Sequence, residues 1–397
     1  LGSKAAPQMS NTVSLDIGGS TTDIAIWYGK RQRTERGEAL RAVLGAQESV
    51  KMAAGSVGRY LQSDPHAGKF LEWFVQAVKT QGVFQDLSLD SFAGRRHGYA
   101  LMFYNILSYY ELAGDRLKAE YNALLGLIKA QDEARGLLLH LIYLFGSLIY
   151  YAGLLSRKVG LQGQAEQKLP VYYLYFCGKG GTLITWINNY QRFAEKLFLA
   201  GLYGPEATAE AGTSGKRSTA TVEVHISPRP KEEVGRGLLV PLIRQGTEDD
   251  DSFGLIDPKP HSVTAGETGY TIREGDTTKE LDWKDELNRA VLRNLAGNLP
   301  AFHELKELNY FISTIREAYK HQDEDNPLYD FNALLTSERS QSIYIDRLTT
   351  RLLGDDEGSV LHDLEQENNP NALIEPLLIT EMKVLLEMLS NNDKLFK

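Results

Sequence analysis

Cysteine is almost missing from this chain: Cys177 is the only one in 397 residues. A single thiol excludes an intramolecular disulfide and any metal site assembled from several cysteines, and it suits a reducing compartment such as the cytoplasm. The eight histidines are scattered without the spacing of a metal-ligand set. A Walker sequence is missing too: Lys179 is followed by Gly180 rather than a closing Ser or Thr, and Gly215-Lys216 lacks the upstream glycine. There is no basic excess, since the net charge is −9, and this argues against nucleic acid as the main partner. The local cluster Lys30, Arg31, Arg33, Arg36 and Arg41 reads as a solvated loop or face. The first residues carry neither a charged-then-apolar signal pattern nor an initiator Met, and Gly2-Ser3 reads as a cloning scar or a position inside a longer protein.

Only one run is long and apolar enough to raise the question of a membrane span, Gly136 to Leu155, GLLLHLIYLFGSLIYYAGLL. It contains His140, Ser147, three tyrosines and three glycines, and it lacks an aromatic belt. The hydropathy rules therefore favour a buried core helix and no membrane span.

What the chain does contain is concentrated in Val13 to Trp27, VSLDIGGSTTDIAIW. An apolar strand runs into Asp16, then a Gly18-Gly19 turn with the hydroxyls of Ser20, Thr21 and Thr22, then a second strand opening on Asp23. That pattern is a β-hairpin with chemistry at its bend. Glycines let a backbone approach a ligand closely, so amides around Gly18 to Thr21 can form an anion nest. A carboxylate at the strand end can hold Mg²⁺ through its waters, and Asp23 can orient such a water. A hairpin whose Gly, Ser and Thr only satisfy turn geometry is the plainer alternative.

Asp16 to Asp23, DIGGSTTD, resembles the second phosphate motif of the actin, heat-shock chaperone ATPase and sugar kinase superfamily. A second match follows at Pro170 to Thr182. The strand Val171 to Phe176 ends in Gly178-Lys179-Gly180-Gly181-Thr182, and a helix is expected from Leu183 to about Leu199. A strand, a glycine turn and a helix start form an anion or nucleotide platform; an isolated turn of this kind is more often an ordinary β-to-α connection. It resembles the superfamily's adenosine motif, with Gly180, Gly181 and Thr182 matching and Lys179 inserted after Gly178. Third in order come the strand Thr219 to Ile226 and then Pro228 to Val240, which resembles the second connecting helix, with Gly235 or Gly237 facing another lobe.

The resemblance implies an α/β fold, a ribonuclease-H-like lobe with a helical insertion, spanning residues 11–245. Only fifteen residues precede Asp16, and no second Asp-x-Gly hairpin precedes residue 178. The lobe is therefore read as the second of two, the first being cut away or supplied by another chain. The resemblance also implies ATP and ADP as ligands, Mg²⁺ at Asp16, a phosphate cradle at Gly18, Gly19, Ser20, Thr21 and Thr22, Asp23 as a water or metal orienter, and an adenosine floor at Gly178, Gly180, Gly181 and Thr182. ATP hydrolysis coupled to lobe closure is the expected activity, acting on a C-terminal or partner module. A small-molecule kinase and a non-catalytic scaffold or filament protein of the same fold remain alternatives.

Elsewhere, helices are expected over Ala46 to Leu61, Lys69 to Thr80, Tyr99 to Leu112, Arg116 to Lys129 and Glu133 to Leu155. Residues 246–283 read as an acidic linker and a small β element within Val263 to Leu281. Residues 284–397 read as mainly helical, and the apolar stripe of Asn371 to Leu389 suits a terminal helix docked on its own domain better than one reserved for a partner.

Overall fold

The computed structural model describes residues 11–34, 37–63, 65–80, 114–131, 134–161, 171–214, 220–227, 271–274, 277–280, 306–319, 338–353 and 377–390. The expected helix Tyr99 to Leu112, the acidic linker and the helix after Pro228 lie outside them.

A mixed five-stranded sheet forms the frame. Its strands are β1 (Thr12–Ile17), β2 (Thr22–Thr34), β3 (Gly37–Val50), β4 (Val171–Cys177) and β5 (Thr221–Ile226), in the order β3-β2-β1-β4-β5. β1, β2 and β3 form an antiparallel meander, whereas β4 runs parallel to β1 and β5 parallel to β4. The alternation responsible is plain in β1, where Val13, Leu15 and Ile17 are buried and Thr12, Ser14 and Asp16 face the other way. Tyr172, Leu174 and Phe176 of β4 continue the buried face, while Tyr173 and Tyr175 lie on the half-buried face, with His225 of β5 stacked on both rings.

Helices cover the buried face: α1 (Gly55–Ser63), α2 (Pro65–Thr80), α3 (Gly114–Lys129), α4 (Arg135–Leu161) and α5 (Tyr190–Ser214). Pro65 opens α2, where the missing amide hydrogen costs nothing because a first-turn amide has no intrahelical partner. Within α4, Arg135–Arg157 is long and apolar enough to cross a membrane, yet 94% of its apolar window is buried inside the protein. It is apolar around its whole circumference because every side is covered. Its crossing with α5 depends on two glycines: a β-carbon at Gly153 would strike the Phe198 carbonyl, and one at Gly201 the Tyr150 carbonyl.

Beyond the sheet, β6 (Thr271–Glu274) and β7 (Thr277–Glu280) form the expected small hairpin. The helices α6 (Lys306–Tyr319), α7 (Glu338–Leu353) and α8 (Leu377–Ser390) follow. Phe311 of α6 meets Tyr143 and Tyr150 of α4 edge-on, and Arg351 of α7 pairs with Glu387 of α8. Leu378, Val384 and Leu385 of α8 belong to the same buried core as α4, so the terminal helix is docked on its own chain, as its stripe suggested.

Two local expectations are corrected. Ala46 to Val50 extends β3 rather than starting a helix, because Ala46, Glu48 and Val50 alternate inward against β2; the helix begins only at Gly55. Of the basic cluster, Lys30, Arg31, Arg33 and Arg41 stand on the paired strands β2 and β3. The helix expected from Leu183 is split: Thr182–Trp186 is a 3-10 turn, Asn189 adopts a left-handed φ of 49°, and α5 starts at Tyr190.

Candidate functional site

β1 is the strand at which the sheet changes character, with antiparallel β2 on one side and parallel β4 on the other. In open α/β sheets ligands bind outside the carboxyl ends of parallel strands, and β1 and β4 end side by side. Both glycine turns leave from there. Asp16 stands opposite Asp23 across one ladder and opposite Cys177 across the other.

The first turn is closed by the Gly18 amide donating to the Thr21 carbonyl at 2.9 Å. It is then clamped from the side by the start of α1. The Ala54 amide donates to the Gly18 carbonyl at 3.1 Å, and the Gly55 amide to the Gly19 carbonyl at 2.9 Å. Only glycine fits at position 55, since a β-carbon there would collide with the Gly19 carbonyl oxygen. The clamp has a directional consequence. A trans peptide holds its C=O and the following N–H on opposite sides, so carbonyls of Gly18 and Gly19 turned toward α1 aim the Gly19 and Ser20 amides away from it. Those amides and that of Thr21 make no backbone hydrogen bond among the described residues, and Gly19, Ser20 and Thr21 are exposed. The leading amides of α1 itself are already used.

One expected hydroxyl donor, Thr22, and one residue of the expected adenosine floor, Thr182, have their hydroxyls committed within the protein. Thr22 is fully buried and its Oγ1 donates to the Met52 carbonyl at 2.6 Å. It ties the hairpin to the segment before α1 and is a structural hydroxyl rather than a donor to a ligand. Thr182, also buried, donates to the Lys179 carbonyl at 2.9 Å.

The second turn is pressed against the first. Gly178 has φ of +72°, and a β-carbon there would meet the Asp16 carboxylate and the Ile17 carbonyl. At Gly180 a β-carbon would lie 2.6 Å from the Ala54 side chain and 2.8 Å from Ile17. Gly181 sits over Phe176 with less crowding. Residues 16–19, 54–55 and 178–181, remote in sequence, thus meet at the carboxyl ends of β1 and β4.

Asp16 and Asp23 face each other across the ladder as like charges. Partial burial pushes the Asp16 carboxyl above its usual range, and the Asp23 charge across the ladder raises it further. Like charges directly opposite on a sheet face destabilise the pair. No group of three or more His, Cys, Asp or Glu side chains able to hold a metal occurs among the described residues. Two facing carboxylates are the kind of donor set that Mg²⁺ takes, with the rest of its shell left to waters and substrate phosphates.

Three supporting residues carry no local signal in the sequence. Ser56 donates its hydroxyl to the Ala53 carbonyl at 2.8 Å and lies 3.2 Å from Nε2 of His140. His140 is buried beneath α1 and stacks on Tyr60 at 5.2 Å. Lys129, at the end of α3, donates its ammonium to the Thr185 carbonyl at 3.1 Å, holding the 3-10 turn that follows Gly181; burial pushes its pKa down. No family model, no curated protein and no solved structure matches the chain.

Proposed function

We propose that the chain is an ATP-binding lobe of the actin-like type, with Mg²⁺ and the phosphates at the β1–β2 turn and the adenosine against Gly178 to Thr182. The observation that carries this reading is the convergence of the Asp16–Thr21 turn and the Gly178–Gly181 turn at the carboxyl ends of neighbouring parallel strands. A sheet that starts as an antiparallel meander and continues as parallel strands joined by helices accords with a ribonuclease-H-like lobe.

In this reading the amides of Gly19, Ser20 and Thr21 hold phosphate oxygens, with the hydroxyls of Ser20 and Thr21 as further donors. Asp16 takes the metal's water on the carboxylate that Asp23 destabilises, so cation binding relieves a repulsion already present. Mg²⁺, when bound, would supply charge neutralisation at the phosphates. Asp23 orients a water. Hydrolysis, in this proposal, needs a second lobe closing over the nucleotide, from a preceding segment or another chain, and closure shifts the population between open and closed states.

Calorimetry with Mg·ATP on the full-length gene product, beside this chain and an Asp16→Ala variant, tests the reading. Binding that loses its Mg²⁺ dependence in the variant is the expected result. Failure of the full-length protein to bind Mg·ATP would overturn the reading and leave a scaffold of this fold.

A further inference from the structure

We infer that Ser56 and His140 are positioning residues for the Gly18–Gly19 turn, fixing the start of α1 at the depth where its amides clamp the turn. The direction of the Gly19 and Ser20 amides follows from that clamp, as the peptide planes require. The clamp in turn is only as well placed as the first turn of a nine-residue helix, and helices this short are not stable by themselves.

What places that turn is a polar relay running from the loop to the core. Ser56 spends its one hydroxyl hydrogen on the Ala53 carbonyl. With that hydrogen so placed, the Ser56 oxygen accepts from the His140 tautomer that carries its hydrogen on Nε2, 3.2 Å away. His140 stands on α4, 94% of whose apolar window is buried. The Tyr60 ring, one turn along α1, lies on the imidazole with an interplanar angle of 29°. Val57 and Leu61 pack α1 against the core, but apolar contact is non-directional and tolerates sliding. The His140–Ser56 hydrogen bond is directional, and it sets the depth. Burial keeps His140 neutral, its pKa held at about 3, so the relay is a fixed strut through the physiological range and not a switch.

The link to ligand binding rests on the phosphate reading of the turn; the link to the clamp does not. Both are tested on the whole chain with three variants. Ser56→Ala removes the acceptor, Ser56→Thr restores a hydroxyl, and Leu61→Ala weakens the other end of α1 without touching the relay. Amide hydrogen exchange is followed on the peptide carrying Ala54 and Gly55, and Mg·ATP affinity is measured alongside.

The expected result is exchange at Ala54 and Gly55 about tenfold faster in Ser56→Ala, near wild type in Ser56→Thr, and near wild type in Leu61→Ala despite its lower melting temperature. The dissociation constant for Mg·ATP should rise about tenfold in Ser56→Ala alone. Exchange unchanged in Ser56→Ala, or raised equally in Leu61→Ala, overturns the inference and makes the pair an ordinary core contact. Expected exchange with no nucleotide binding even in the wild type leaves the positioning role standing and counts against the nucleotide reading instead.

Discussion

The Asp16 carboxylate occupies the space that a side chain at position 178 would need. The acid of one turn and the glycine of the other are therefore a matched pair, set 162 residues apart in sequence and joined by the parallel register of β1 and β4. That relation makes the two turns one site.

Gly178→Ala is accordingly expected to be costly. It combines a left-handed φ with a collision against Asp16 and the Ile17 backbone, and strain of these two kinds sums to roughly 2–5 kcal/mol. Gly19→Ala is the control, because nothing lies within 4 Å of a β-carbon there; its stability should stay within about 0.5 kcal/mol of wild type. Urea unfolding of the two variants checks the contrast, and equal losses would refute it.

Asp16→Asn should stabilise the protein in Mg²⁺-free buffer at neutral pH. The folded carboxyl is raised above its ordinary value of 3.8 by burial and by Asp23. A raised acid weakens the folded state wherever it must ionise, and this penalty fades as pH falls through the folded pKa toward the unfolded one. The variant's higher melting temperature should shrink toward wild type near pH 4. Addition of Mg²⁺ should stabilise wild type and leave the variant unmoved; a variant that responds to Mg²⁺ as wild type does would remove Asp16 from the metal site.

Much of this site could be read from residue order. Val13, Leu15, Ile17, then Asp16 beside Gly18-Gly19, announce a strand entering a chemical turn, and Tyr172, Leu174 and Phe176 announce β4. Local pattern failed where long-range pairing decided the outcome. Ala46 to Val50 fits a helical spacing as well as an alternating one, and buried Glu48, bonded to Tyr151 at 2.8 Å, disguises the alternation. The pairing of β2 with β3 at Lys30, Arg31, Arg33 and Arg41 is a backbone match that a charge run does not announce. Thr22 and Thr21 are indistinguishable by type, yet one is buried and the other exposed, because Thr22 stands on β2 and Thr21 belongs to the turn before it. Ser56 and His140 are separated by 84 residues, and no period connects them.

Gly153→Ala probes the core crossing. Its β-carbon would press on the Phe198 carbonyl and the Leu202 amide of α5, and backbone cannot yield as a side-chain tip can. The helices must separate or bend, at a cost of about 1–3 kcal/mol for an overpacked core. Gly126→Ala on α3, with nothing within 4 Å, should instead gain up to about 1 kcal/mol from helix propensity. Thermal melts of the two variants should therefore move in opposite directions, and a neutral Gly153→Ala would show that the crossing is looser than drawn.

His140 gives the protein a defined acid sensitivity. Burial, aided by the nearby Arg59 charge, lowers its pKa from 6.5 to about 3 in the folded state. The unfolded chain therefore takes up this proton first as pH falls. The sign follows: the contribution is fully present above pH 6.5 and is lost on acidification toward pH 3, at up to about 1.4 kcal/mol per pH unit for one proton. His140→Gln keeps an amide donor near the Ser56 oxygen but does not titrate. It should be less stable than wild type at pH 7, where the Tyr60 stack and the imidazole bond are both intact, and the gap should narrow steadily at pH 6, 5 and 4. Carboxylates elsewhere affect both proteins alike, so the difference isolates this residue. A gap that stays constant across those pH values would mean that His140 is accessible to protons in the folded protein, and that the strut beneath the phosphate turn is open to solvent.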